Sequence, residues 1–132
     1  MRSARRVRII GPMADLQVLD AETARMVGGV CDAIVPGSAR VRPEIYIDAK
    51  LARMPEGVRA AALAAFASLA EGDLAAAAGT PDFLWIRALA IEAFYSDFVA
   101  PGVEASGAWD EIDFNTPLAT RLAKDWSYLG IA

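Results

Sequence analysis

The chain reads as an all-α protein, a small bundle of about four helices followed by an irregular, aromatic C-terminal stretch. Three observations carry that reading. Apolar residues recur at the i, i+3, i+4, i+7 spacing of one helix face through most of residues 15–99. Pro36, Gly37, Pro43, Pro55, Gly72 and Pro81 punctuate those periodic stretches. Beyond Pro101 the helical period stops although large side chains continue. At 132 residues, residues 15–99 make one helical domain and residues 100–132 an extended appendage.

Each helix has its own signals. Asp20 is placed to cap the first, whose buried face is Val27, Val30, Cys31 and Ile34. Pro36 and Gly37 stop it, and residues 38–42 read as a polar loop. Cys31 lies on the apolar face and reads as a small buried hydrophobe. Pro43 suits the first turn of a second helix with Ile47, Leu51 and Met54 on one stripe. Pro55 opens a third with Val58, Ala62, Ala65, Phe66 and Leu69 inward, ended by Gly72, and residues 73–78 add one further turn. Thr80 and Pro81 start the longest helix, which is expected to run to about Phe98.

That last helix is apolar on nearly every side. Leu84, Ala88, Ile91 and Tyr95 form one stripe, and Phe83, Ala90, Phe94 and Phe98 another. Such a helix needs cover on more than one face. It is either the central helix of the bundle or a helix completed by a second protein. The final stretch keeps Trp109, Ile112, Phe114, Trp126, Tyr128 and Leu129, with a short helix expected over 117–124. A disordered tail has no use for such side chains. Phe94, Tyr95, Trp109, Ile112, Phe114, Trp126 and Tyr128 are therefore the candidate partner-contacting residues, with Arg121 at the rim.

Composition narrows the chemistry. The chain has no histidine and one cysteine, which removes His-dependent nucleophile systems, His-ligated metals and intrachain disulfides. No GxGxxG, GxxxxGK[ST], CxxC or HExxH is present, so no dinucleotide or metal site is expected in this chain. Glu92 and Asp97 could be posed as an acid–base pair, but carboxylates on a helix surface are more often solvated or paired with an arginine, here Arg87. Asp110, Glu111 and Asp113 form an acidic cluster that could hold a hard cation. A net charge of −4 disfavours nucleic acid as a partner. Arg5 and Arg6 lack the apolar run of a secretory leader, and no membrane-spanning run follows, so a cytoplasmic location without membrane insertion is expected and export with a partner stays open.

Some segments also resemble a known family. Cys31-Asp-Ala-Ile-Val-Pro-Gly followed by Pro43-Glu-Ile-Tyr-Ile-Asp resembles the opening motif of the gluconate 2-dehydrogenase subunit 3 family. Glu92-Ala-Phe-Tyr-Ser-Asp is similar to its E-x-F-Y-S-D signature, and Trp109-Asp-Glu-Ile-Asp-Phe to its W-x-x-I-G-F, with Asp113 where members carry glycine. The resemblance implies a small helical subunit without catalytic residues. Such subunits associate with a large FAD-dependent dehydrogenase of the glucose-methanol-choline type, which holds the flavin and oxidises sugars or other alcohols. In many such systems a cytochrome takes the electrons. Two other readings remain, a helical adaptor or assembly factor for another oxidoreductase and a small enzyme working through carboxylates.

These readings make the chain free of chromophores by itself. Purified alone it should show neither flavin nor haem absorption; a near-stoichiometric bound chromophore would contradict them.

Overall fold

The computed structural model describes residues 16–111 and 126–131. Among these, the secondary structure is helical without strands: α1 (Ala21–Ile34), α2 (Pro43–Ala52), α3 (Glu56–Glu71), α4 (Leu74–Ala77), α5 (Pro81–Tyr95) and α6 (Ala108–Glu111). Short 3₁₀ turns lie at Ser38–Val41 and Ser127–Leu129. The fold is an all-α bundle, as the periodicity implied.

The helix starts follow their caps. The Asp20 carboxylate accepts from the Thr23 amide at 2.7 Å, and Thr80 Oγ1 accepts from the Phe83 amide at 3.2 Å. Pro43 and Pro81 occupy first-turn positions, where a missing N–H costs nothing. Backbone geometry sets the turn after α1. Gly37 takes φ 89°, and the Asp32 carboxylate accepts from the Gly37 and Ala39 amides. The polar loop expected at 38–42 is thus largely a 3₁₀ turn with Ser38 and Val41 buried.

The centre of the bundle is α2, not α5. Pro43 through Ala49 and Leu51 are all buried, and α2 packs against α1, α3, α5 and the Ser127–Leu129 turn. Periodicity concealed this because Glu44, Asp48 and Lys50 interrupt its apolar residues. Each charge has a local answer. Glu44 is held by Arg42 Nε at 2.5 Å, Lys50 Nζ lies 2.9 Å from Glu92 Oε2, and Asp48 binds backbone.

Asp48 accepts from three consecutive amides, Gln17 at 2.6 Å, Val18 at 2.9 Å and Leu19 at 2.9 Å. This carboxylate therefore pins the chain entering α1 onto the central helix. The Glu44 carboxylate in turn presses on α1 at Gly28, where an added Cβ would stand 2.8 Å from Glu44 Oε1. Glycine is tolerated inside that helix because the ion pair needs the space.

The inward faces otherwise agree with the spacing, with two exceptions. Val58 is exposed, and α5 ends at Tyr95 rather than near Phe98. Ser96 closes the helix and Asp97 follows in a left-handed conformation, φ 65°, so that Phe98 turns into the core instead of continuing the helix.

The described parts of the C-terminal stretch also depart from an extended appendage. Ala108, Leu129 and Ile131 are buried, and Trp126 meets Tyr46 and Phe98 edge-on at 6.3 and 5.3 Å. Gln17 Nε2 and Arg53 Nη1 both donate to the Leu129 carbonyl. These parts fold back onto the domain because they have a prepared aromatic surface to cover. The short helix expected over 117–124 lies outside the described residues.

Removing the Asp48 carboxylate leaves those three amides without their acceptor. Asp48→Ala should lower stability by about 3 kcal/mol, on the order of 10 °C in melting temperature. Asp48→Asn, whose single amide oxygen can serve only some of the donors, should recover part of the loss. Thermal denaturation followed by circular dichroism checks both.

Candidate partner-docking face

One helix is built the wrong way round for a lone domain. The buried face of α5 is Ile86, Leu89, Ala90, Ala93 and Phe94. Opposite it, where a bundle helix normally carries charge, stand Leu84 at 54% exposure, Ala88, half-buried Ile91 and Tyr95 at 46%. The same rule that makes α5 amphipathic in most bundles is broken on its outer side. Beside this stripe the end of α1 and the following turn add Ile34, Val35 and Pro36. With Arg87, Ile91 and Tyr95 they line a cleft of about 200 Å³.

Trp109 sits at the C-terminal end of the same helix. Its indole Nε1 donates to the Tyr95 carbonyl at 3.1 Å, answering one of the open carbonyls at the end of α5. Its backbone amide donates to Asp97 Oδ1 at 3.1 Å. Gly107 is required there, since an added Cβ would collide with the Asp97 carboxylate. Arg40 ties the returning chain down further. Its guanidinium donates to the Ser106 carbonyl at 2.8 Å, reaches Glu111 at 2.7 Å and lies 5.1 Å over the Phe94 ring.

The residues expected at a partner surface therefore separate. Tyr95 and Trp109 come together at the C-terminal end of α5. Phe94 is corrected: at 1% exposure its ring is in the chain's own core, edge-on to Tyr95 and beneath Arg40. Tyr128 is 62% exposed and Trp126 half-buried, on a second side formed with Lys50, Arg53 and Met54. Ile112, Phe114 and Arg121 lie outside the described residues.

Glu92 and Asp97 are not a pair. Glu92 faces α2, accepting from the Tyr46 hydroxyl at 2.8 Å and from Lys50, whereas Asp97 holds the Trp109 amide. Burial tends to raise the Glu92 pKa, but the Lys50 and Tyr46 hydrogen bonds outweigh it and the carboxyl is held below its ordinary value. The Tyr46 hydroxyl is pushed above its ordinary range, first by burial and then by Glu92. Cys31 is buried, and desolvation with Glu44 and Asp32 nearby pushes its thiol up to about 12. Of the acidic cluster, Glu111 is engaged by Arg40, Asp110 is exposed and Asp113 lies outside the described residues. Among the described residues no group of His, Cys, Asp or Glu is arranged to hold a metal ion.

Comparison with known proteins returns no match, whether to a family model, a curated protein or a solved structure.

Sequence reasoning missed Arg40 and misjudged the partner of Arg87. The position of Arg40 in what read as a polar loop gave no hint that residues 106–111 would return to it. The i, i+4 stripe from Leu84 to Ala88, continued by Ile91 and Tyr95, was visible, but not which side of α5 would face solvent.

The Tyr46–Glu92–Lys50 cluster sets an acid response. A carboxyl whose pKa is lowered on folding stabilises the fold above its unfolded value of 4.5. That contribution disappears as pH falls through the lower folded value. Melting temperature should therefore fall between neutral pH and about pH 3, and Glu92→Gln should make that fall shallower. An unchanged acid limb in Glu92→Gln would remove Glu92 from the account.

Proposed function

We propose that the chain is the non-catalytic small subunit of a FAD-dependent sugar or alcohol dehydrogenase complex, and that it docks on the large flavin-binding subunit through the outer face of α5. The observation that carries this reading is the exposed apolar stripe of Leu84, Ala88, Ile91 and Tyr95, opposite the buried face of the same helix. Contiguous apolar surface of this kind marks an interaction site rather than a working monomer surface. The family resemblance supports it from a second direction. Two of its segments, the one containing Tyr95 and the one beginning at Trp109, meet at the C-terminal end of α5, where the Trp109 indole donates to the Tyr95 carbonyl. The exposed Tyr95 ring, apolar with a polar tip, suits the core of an interface.

In this role the chain supplies surface and rigidity, while the flavin and the reacting groups belong to the partner. A cytochrome acceptor, where the system has one, would contact the assembled complex. The second reading, an adaptor for a different oxidoreductase, uses the same face and differs only in what the partner contains.

Co-purification of the full chain from its native host, with the visible spectrum of the complex recorded, tests the proposal. The expected result is a large partner at fixed stoichiometry with a flavin spectrum that follows it through gel filtration. A stable partner with no flavin favours the adaptor reading. A chain that oxidises an alcohol unaided would overturn both.

A further inference from the structure

Arg87 flanks the apolar stripe, three residues after Leu84 and four before Ile91, and lines the cleft with Val35 and Pro36. The ion pairs among the described residues are Arg40–Glu111, Arg42–Glu44 and Lys50–Glu92, and Arg87 takes part in none of them. Of the two acids on its own helix, each five residues away, Asp82 forms no ion pair with it and Glu92 is turned toward α2 and held by Lys50 and Tyr46. Asp97 is committed to the Trp109 amide. The structure thus presents an exposed guanidinium, unpaired within the described residues, at the cleft that borders the apolar stripe.

A cover that is only apolar cannot satisfy this arrangement. Burying the stripe takes water from the guanidinium, and a desolvated charge without a counter-ion disfavours the complex. The planar donor fork of arginine matches a carboxylate in bidentate geometry, and arginine is enriched among the residues that dominate interface energetics. A second copy of this chain is a poor cover. Two-fold packing of the stripe on itself supplies no carboxylate, since Leu84, Ala88, Ile91 and Tyr95 carry none.

We infer that the outer face of α5 receives an apolar segment of the partner protein that carries one carboxylate, with that carboxylate on Arg87 and a neighbouring apolar side chain in the Val35–Pro36–Ile91 cleft. At about 200 Å³ the cleft holds one large aliphatic or aromatic side chain. The segment therefore needs an apolar anchor and an Asp or Glu within about one helical turn, the spacing with which amphipathic helices engage grooves. The inference rests on the docking reading above and adds the chemistry of what docks.

The test uses the full chain and the co-purified partner, with a photo-crosslinking residue at position 88 and, separately, the variants Arg87→Glu, Arg87→Lys and Leu84→Asp. The cross-linked partner peptide should contain an acidic residue beside an apolar one. Arg87→Glu should weaken binding by about 30-fold or more, and Arg87→Lys by much less. Reversing the identified acid to Arg should restore binding to Arg87→Glu. All variants should keep the wild-type circular dichroism spectrum, because neither Arg87 nor Leu84 contributes to the core.

A peptide without a carboxylate, a cross-link to a second copy, or binding unchanged by Arg87→Glu overturns the inference. The two proposals fail separately. A flavoprotein that binds indifferently to Arg87 leaves the subunit reading standing without this one. A partner lacking flavin that binds through Arg87 and its own acid leaves this one standing without the subunit reading.

Discussion

The arrangement depends on a carboxylate in the middle of the bundle. Asp48 is 1% exposed on α2, yet it serves as the acceptor for three successive amides of the strand of chain that leads into α1. A buried carboxylate is costly unless hydrogen bonds replace its water, and backbone amides do so without introducing a second mobile charge. Because α2 touches α1, α3, α5 and the Ser127–Leu129 turn, fixing α1 against it fixes the frame in which every other helix sits. Glu44, packed against Gly28 and paired with Arg42, repeats the device one turn earlier.

With a polar-bearing helix at the centre, α5 is displaced to the side of the bundle, and that displacement leaves its apolar stripe exposed. One face of α5 is absorbed by the core through Ile86, Ala90, Ala93 and Phe94. The opposite face is left uncovered, and the chain returning from Asp97 does not close over it. It is instead held at the edge by the Gly107–Asp97 contact, the two Trp109 hydrogen bonds and the Arg40 guanidinium. The same contacts that order residues 106–111 therefore set the Trp109 indole beside Tyr95 and frame the exposed stripe rather than bury it.

Much of this was legible in local signals because capping and helix periodicity act over a few residues. Asp20, Thr80, Pro43, Pro81 and Gly37 do in the structure what their side chains or backbones favour anywhere. The role of α2 was not legible, since a helix carrying Glu44, Asp48 and Lys50 looks half-exposed until the partners of those charges are known. The farthest of those partners is Glu92, which meets Lys50 from 42 residues further along the chain (92 − 50), a separation that no periodicity reports.

By itself the sequence determined the four long helices, the inward face of α1 and most of that of α3, and the absence of histidine and of a second cysteine, because these follow from residue identity and short-range spacing. Only the tertiary structure decided which helix is central and which side of α5 faces outward. It also decided that Phe94 is core while Tyr95 is surface, and that Arg87 is left without the acid expected to pair with it. Those outcomes depend on which charged groups meet across the bundle. A helix that is apolar all round can bury either side, and the choice passes to the neighbours that compete for its faces.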